Sequence, residues 1–175
     1  MQFEQRMDYR GSVDEVVAML CDDGFHAQLA ETMHALRHEL TVTTGDDGTT
    51  HVQVTRVMPA EVPDFIKPLV GSEIHVVQDE DWAPADGAGT AGGAGTRSAD
   101  LAITSPRKPV GFAGTMTLAP TDDGCTQHVI GKINVRLPIG GHKVAEQVER
   151  ALRYGMEAQE RVGNEWLSTS DGQTA

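Results

Sequence analysis

The amino-acid sequence predicts an α+β domain in which a curved antiparallel sheet is covered by one long C-terminal helix. Two observations carry this prediction. Small or apolar residues recur at steps of three and four between Pro138 and Leu167, which places them on one face of a helix. Most of the remaining chain alternates polar and apolar residues between turns rich in Gly and Pro, which is typical of strands in a meander.

The composition fits one domain and argues against two classes of partner. A chain of 175 residues is long enough to bury a core without cross-links. Its 14 basic and 26 acidic side chains give a net charge of -12, so nucleic acid and anionic membrane surfaces are unfavourable partners. No segment has the roughly 18 apolar residues of a membrane span, so we expect no integral membrane insertion.

The two cysteines predict free thiols in a cytoplasmic protein. Cys21 and Cys125 match no zinc spacing and are too few for a disulfide framework. The N-terminal residues alternate in charge and lack the apolar stretch of a signal peptide, so we expect no export by a cleaved signal. Thiols stay reduced in the cytoplasm, which agrees with this location.

The start of the chain predicts a strand followed by two short helices. Residues 2–10 alternate polar and apolar side chains, and Tyr9 lies on the inward-facing side. Ser12 with Glu15 three residues later forms a capping box, which starts a short helix. Gly24 ends that helix, and a second short helix follows.

A hairpin follows, and it directs two polar groups inward. Residues 36–44 and 49–58 are its strands, and a cluster of Gly and Asp at 45–48 is its turn. Alternation places His38 on the inner face of the first strand and Arg56 on the inner face of the second. A buried cation needs a partner, so the orientation of Arg56 predicts an inward-facing acid nearby.

The next strand supplies that acid. Residues 74–82 alternate so that Gln78 and Glu80 face inward, and we expect Glu80 to pair directly with Arg56. The following stretch, Ala83 to Thr96, contains mostly Gly, Ala and polar residues, which predicts a mobile hairpin tip.

An apolar segment precedes this strand. Three prolines within residues 59–71 exclude a regular strand. Phe65, Ile66 and Leu69 make the segment apolar, so we interpret it as a loop or short helix that closes over something.

Three more strands lead to the long helix, whose apolar face is thin in the middle. They cover residues 99–103, 112–118 and 125–137, and Gln127 faces inward on the last. In the helix, small residues occupy positions where Leu or Ile would be usual. They are Ala151, Gly155 and Ala158. Either the helix approaches the sheet closely there, or it roofs an internal cavity.

The order of elements resembles the helix-grip fold of the START-like (SRPBCC, birch-pollen-allergen-like) superfamily over essentially the whole chain. Three stretches, PDFIKPLVG at 63–71, Asp81-Trp82, and PIGGHKV at 138–144, resemble an uncharacterised actinobacterial family within it. The resemblance implies a sheet of about seven strands that grips the helix around a hydrophobic cavity. We expect one domain over residues 1–167 and, from the sequence itself, a disordered tail at 168–175. In relatives the resemblance implies binding or cyclisation of lipids or polyketides.

The motifs give no sign of a reaction. The histidines show neither HxH nor HExxH spacing, and no glycine pattern matches a nucleotide-binding loop, so we predict no metal, no cofactor and no catalytic residue. We therefore predict a cavity that binds a small apolar ligand such as a lipid or polyketide. The residues expected to line it are Tyr9, His38, Arg56, Phe65, Ile66, Leu69, Gln78, Glu80, Gln127, Ala151, Tyr154, Gly155 and Ala158.

Two alternatives stay open for the function. One is an enzyme of cyclase or hydratase type that uses the same cavity. The other is a module with a filled core that binds a protein partner, which a cavity below roughly 300 Å³ would favour. The sequence does not decide the oligomeric state, and a homodimer stays as an alternative to a monomer.

Overall fold

The computed structural model describes residues 1–85 and 95–173. The strands are β1 (Gln2–Tyr9), β2 (Arg37–Thr44), β3 (Thr50–Pro59), β4 (Glu73–Trp82), β5 (Arg97–Thr104), β6 (Val110–Thr121) and β7 (Gly124–Val135), and the helices are α1 (Val13–Leu20), α2 (Asp23–Thr32), α3 (Lys67–Val70) and α4 (Gly141–Gln173). Within these residues, seven antiparallel strands form one sheet in the order β1-β7-β6-β5-β4-β3-β2. The predicted α+β architecture is confirmed.

The two short helices begin where side-chain oxygens can cap them. Ser12 Oγ accepts a hydrogen bond from the Glu15 amide at 3.1 Å, and Glu15 Oε2 accepts one from the Ser12 amide at 2.7 Å, so the predicted capping box is confirmed. The start predicted for α2 was too late. Asp22 caps α2, and Gly24 therefore lies inside its first turn.

The long helix continues beyond the predicted end of the domain. α4 reaches Gln173, so residues 168–173 are helical and the prediction of a tail starting at 168 was wrong for them. Ser168 Oγ and Thr169 Oγ1 both donate to the Glu165 carbonyl, at 2.8 and 3.1 Å. Both hydroxyl groups therefore find hydrogen-bond partners within the helix. No proline follows Pro138, so nothing in the sequence forces the helix to stop earlier.

The core lies between the concave face of the sheet and the helices. α4 packs on β1 and β7 and contacts α1 and α2. A Cβ added to Gly163 would lie 2.8 Å from Tyr9 Cε1 and 3.0 Å from Met19 Cε, so the helix approaches the sheet closely at this point. Arg153 Cζ lies 5.0 Å from the centre of the Phe3 ring, which adds a cation–π contact between α4 and β1.

Three further predictions have different outcomes. Cys21 and Cys125 are free thiols, as the sequence predicts. Of the helices in the described ranges, none combines the length and apolar character needed to cross a membrane. The predicted mobile tip at Ala83–Thr96 falls largely on residues 86–94, which lie outside the described residues.

The curvature of the sheet depends on two facing glycines. Gly114 of β6 pairs with Gly131 of β7. A Cβ added to Gly131 would lie 2.5 Å from both the Ala113 carbonyl oxygen and Phe112 Cζ, so only glycine fits between the strands. The absence of side chains lets the two backbones approach and the sheet bend around α4.

We expect Gly131→Ala to destabilise the protein by about 1 to 3 kcal/mol, because the new methyl overpacks a position with no free volume. Gly155→Ala is the matched control. Its Cβ would meet only Met33 Cε, at 3.5 Å, and alanine raises helix propensity, so stability should stay equal or rise by up to about 1 kcal/mol. Urea unfolding of both variants measures the difference, and equal midpoints would contradict this account of the bend.

Candidate ligand cavity

A cavity of about 480 Å³ lies between the concave face of the sheet and the first half of α4. Its other walls come from the end of α2 and from residues 59–70, and most of its lining is apolar. Apolar lining side chains include Met7, Leu29, Met33, Met58, Ile66, Leu69, Ile74, Val76, Leu101, Ile103, Phe112, Met116, Val129, Val148, Leu152 and Met156. The volume lies within the range of roughly 300 to 1,000 Å³ that is usual for small-molecule pockets.

The proline-rich segment forms one side of the cavity. Ile66 is buried and Leu69 also lines the wall. Lys108 Nζ, in the turn between β5 and β6, donates to the Leu69 carbonyl at 2.5 Å and ties α3 to the sheet. Phe65 is 52% exposed and does not line the cavity, because the turn that directs Ile66 and Leu69 inward sends the preceding side chain to solvent.

A chain of hydrogen-bonded polar groups lies on the wall of the cavity. Arg56 and Glu80 are only 6% and 2% exposed. Arg56 Nη1 donates to Gln78 Oε1 at 3.3 Å, and Gln78 Nε2 donates to Glu80 Oε1 at 2.6 Å. Trp82 Nε1 donates to the other carboxyl oxygen, Oε2, at 2.9 Å. A mostly apolar cavity therefore has a buried cation and a buried acid in its wall.

The direct ion pair predicted between Arg56 and Glu80 is replaced by a bridge through Gln78. In the register of β3 and β4, Arg56 faces Val76 whereas Glu80 faces Val52, so the two charged residues are offset along the strands. Gln78 lies between them and presents its carbonyl to the cation and its amide to the acid. Strand alternation predicted the inward direction of both charges, but the register decides their separation.

His26 completes the polar chain from the helical side. Its Nε2 lies 2.8 Å from the Leu20 carbonyl oxygen, and a carbonyl only accepts, so Nε2 carries the proton. In the neutral ring Nδ1 is then an acceptor, and it receives a hydrogen bond from Arg56 Nη2 at 3.2 Å. Sequence reasoning did not single out His26. Its spacing from Leu29, Ala30 and Met33 matches a helical face, which was the available signal.

Burial shifts the pKa of all three ionisable groups in the chain. It lowers the pKa of His26 to about 4, and the nearby Arg56 charge acts in the same direction. It lowers the pKa of Arg56 to about 10, which still leaves the guanidinium charged at neutral pH. It raises the pKa of Glu80, against the opposing effects of the hydrogen bonds from Trp82 and Gln78 and of the Arg56 charge.

A second polar cluster is neutral and joins the sheet to α4. Gln159 Nε2 donates to Tyr9 Oη at 3.0 Å, and Tyr9 Oη donates to Gln127 Oε1 at 3.2 Å. Gln127 Nε2 lies 3.0 Å from Met116 Sδ. Burial raises the pKa of Tyr9, so the phenol stays protonated. Gln127 and Gln159 line the cavity, whereas Tyr9 lies behind them.

The small residues of α4 serve both roles that the sequence left open. Ala151, Tyr154 and Gly155 line the cavity, and Ala151 and Tyr154 are exposed, so they lie at its solvent edge. Ala158 is fully buried away from the cavity wall, one turn before the close approach at Gly163. The helix thus roofs the cavity in its first half and packs on the sheet in its second half.

His38 also lies away from the cavity. Its Nε2 is 3.2 Å from Asp23 Oδ1 in the first turn of α2. The helix α2 packs on β2, so the inner face of this edge strand meets a helix rather than the cavity. The predicted lining residues that lie on the wall are Arg56, Ile66, Leu69, Gln78, Glu80, Gln127, Ala151, Tyr154 and Gly155, and those that lie off it are Tyr9, His38, Phe65 and Ala158.

A second depression differs from this cavity in shape and lining. It lies where the end of β7 meets the start of α4, and its charged lining residues are Arg136 and His142. It is more open to solvent than the cavity and is lined by fewer residues. In the ranges that the structure describes, no group of three or more His, Cys, Asp and Glu side chains is arranged to hold a metal ion.

The buried neutral state of His26 predicts a pH dependence of stability. Because its pKa is about 4 in the folded protein and about 6.5 when unfolded, the unfolded chain takes up a proton first as the pH falls. The contribution of His26 is therefore present above pH 6.5 and is lost between about 6.5 and 4, by up to about 3 kcal/mol. Urea unfolding across this range should show a smaller loss for His26→Gln than for the parent.

His142→Gln is the control for that experiment, because His142 is 81% exposed and carries no buried hydrogen bond. It should follow the pH profile of the parent. If His26→Gln loses as much stability as the parent over this pH range, the assignment of a buried neutral imidazole is wrong.

Comparison with solved structures identifies the fold. A protein from Thermus thermophilus, TTHA0849, superposes with a TM-score of 0.60 at 13% identity, over 97% of each chain. The di-domain ARO/CYC StfQ from the steffimycin biosynthetic pathway gives 0.58 at 15% identity, over 98% of this chain and 52% of that one. A STAR-related lipid transfer protein from Xanthomonas axonopodis gives 0.54 at 17% identity, over 91% and 85%. At these identities the likeness is one of fold.

Sequence comparison identifies the family. No curated protein matches the chain significantly. Residues 4–167 match the profile of a family described as protein of unknown function (DUF2505), which covers most of the chain. The architecture of this stretch is the helix-grip fold expected from the START-like resemblance. The chain therefore belongs to the DUF2505 family and has the START-like helix-grip fold.

Proposed function

We propose that this protein binds a small hydrophobic ligand, of lipid or polyketide type, in the cavity between the sheet and α4. The observation that carries the proposal is an apolar cavity of about 480 Å³ with a few polar groups gathered at its wall. This combination of an apolar lining and a small number of placed polar groups is typical of ligand pockets. Filled cores leave few voids larger than a water molecule, so this volume argues against the partner-binding module.

The fold comparisons support the chemical class of the ligand. One of the similar structures is named as a STAR-related lipid transfer protein, and another is an ARO/CYC protein of a biosynthetic pathway. The first of these names states a ligand class, which is lipid. A cavity walled by Leu, Ile, Val, Met and Phe side chains accommodates the same class by burial of apolar surface.

Binding is favoured over catalysis by the state of the buried ionisable groups. A general acid or base must be free to exchange a proton with the substrate. Both carboxyl oxygens of Glu80 accept hydrogen bonds from the protein, and both ring nitrogens of His26 are engaged. Catalysis by Glu80 or His26 would need one of these contacts to break, so we rank a cyclase or hydratase second.

Native mass spectrometry of the protein purified without detergent tests the proposal. We expect a species heavier than the chain whose extra mass is lost on denaturation and extracts into organic solvent. The same spectrum shows whether the chain is a monomer or a homodimer. A protein that carries no ligand and also fails to bind a neutral fluorescent dye such as Nile red would contradict the proposal.

We expect Gly155→Leu to abolish Nile red binding, because the new side chain projects from α4 into the cavity. Its first carbon meets only the flexible end of Met33, at 3.5 Å, so the fold should tolerate the change and gain about 0.5 to 1 kcal/mol of helix propensity. Glu157→Leu, on the exposed side of the same helix, adds a leucine without entering the cavity and should bind the dye normally. Dye fluorescence and thermal unfolding are measured together. Unchanged binding in Gly155→Leu would place the dye elsewhere.

A further inference from the structure

Arg56 is a buried cation whose hydrogen-bonding capacity is only partly used. A guanidinium has five N–H donors. Nη1 donates to Gln78 Oε1 and Nη2 to His26 Nδ1, at 3.3 and 3.2 Å. The Nε atom is buried and has no hydrogen-bond partner among the described residues. Since the amide of Gln78 and the imidazole of His26 are both neutral, neither cancels the charge of Arg56.

The nearest buried acid is already satisfied by the protein. One oxygen of Glu80 accepts from Gln78 and the other accepts from Trp82, at 2.6 and 2.9 Å. Glu80 therefore offsets the charge of Arg56 only at longer range, and its hydrogen-bonded link to Arg56 runs through the amide of Gln78. A buried charge without a directly bonded counter-charge is costly, and that cost falls when an anion binds to it.

We propose that Arg56 receives the acidic head group of the ligand, so that the bound molecule is a monocarboxylic acid with a hydrocarbon tail. The inference rests on the proposed function, because it names the class and orientation of the ligand in the same cavity. Arg56 lines the cavity, most of whose lining is apolar, and the ammonium of Lys108, which also lines it, is bonded to the Leu69 carbonyl. A carboxylate matches the planar donor fork of a guanidinium, and the tail matches the apolar lining.

The test compares two probes that differ only in the head group. Dodecanoic acid and 1-dodecanol have the same tail, and the alcohol offers a neutral hydroxyl in place of the carboxylate. By isothermal titration calorimetry on the parent protein, we expect the acid to bind at least about tenfold more tightly, since charge-assisted hydrogen bonds are the stronger kind. Equal affinity for the two probes would overturn the proposal.

Two substitutions locate the effect at Arg56. In Arg56→Met the preference for the acid should disappear while 1-dodecanol still binds, because methionine keeps an apolar wall. Arg6→Gln removes a positive charge from the exposed face of β1 and should keep the preference. If Arg56→Met keeps a tenfold preference for the acid, the head group binds elsewhere and the proposal fails.

A third substitution moves the affinity in the opposite direction. Both oxygens of Glu80 accept from N–H donors, as a carboxylate does, so Glu80→Gln removes an acidic group near the proposed site and should tighten binding of dodecanoic acid while leaving 1-dodecanol unchanged. A role of Glu80 confined to folding would alter both probes alike. Weaker binding of the acid to Glu80→Gln would contradict the position assigned to the carboxylate.

A spectroscopic measurement covers the case in which Arg56→Met does not fold. The carboxyl carbon of ¹³C-labelled dodecanoic acid, bound to the parent protein, should titrate at a lower pH than in water because a cation stabilises the ionised form. A higher titration point would overturn the proposal. If Nile red and 1-dodecanol bind but the acid has no advantage, this inference alone fails; if no probe binds, the proposed function fails with it.

Discussion

A single helix must both pack closely on the concave face of the sheet and leave a cavity open above it. Toward its C-terminal end α4 approaches β1 so closely that Gly163 fits against Tyr9 and Met19 with no room for a side chain. Toward its N-terminal end the same helix stands over an open cavity, and the nearest neighbour of Gly155 is the flexible end of Met33. Small residues occur in both halves, but they create contact in one and volume in the other.

The bend of the sheet allows one continuous helix to pack closely on the sheet at one end and to cover a cavity at the other. At the Gly114–Gly131 pair the strands β6 and β7 approach without intervening side chains, and the Phe112 ring lies beside Gly131. The sheet can therefore close on α4 near β1 and β7, where the packing contacts are. Strands β3 to β5 then lie farther from the helix axis, and their inward side chains face the cavity.

The sequence predicted the directions of side chains better than the distances between them. Alternation within each strand correctly sent Arg56, Glu80 and Gln127 inward, because side-chain direction is a local property of the backbone. It failed to predict that Gln78 separates the two charges, because that depends on the register between β3 and β4. His38 was placed in the cavity for a similar reason, since its strand direction was clear but the helix that covers it was not.

Two hydrogen-bonded groups lie along the cavity wall, and they differ in whether they leave a polar atom without a partner. The cluster around Gln127 is closed, because Gln159 donates to Tyr9 and both donate to the Gln127 amide oxygen, and all of its members are neutral. The chain around Arg56 is not closed, because the Nε atom has no partner in the described part of the protein and no acid is hydrogen-bonded directly to the guanidinium. A ligand gains little by competing for the neutral cluster but gains from the cation. The wall should therefore select among ligands mainly by the charge of the ligand's head group. The ligand's tail should matter only through its volume and its apolar surface.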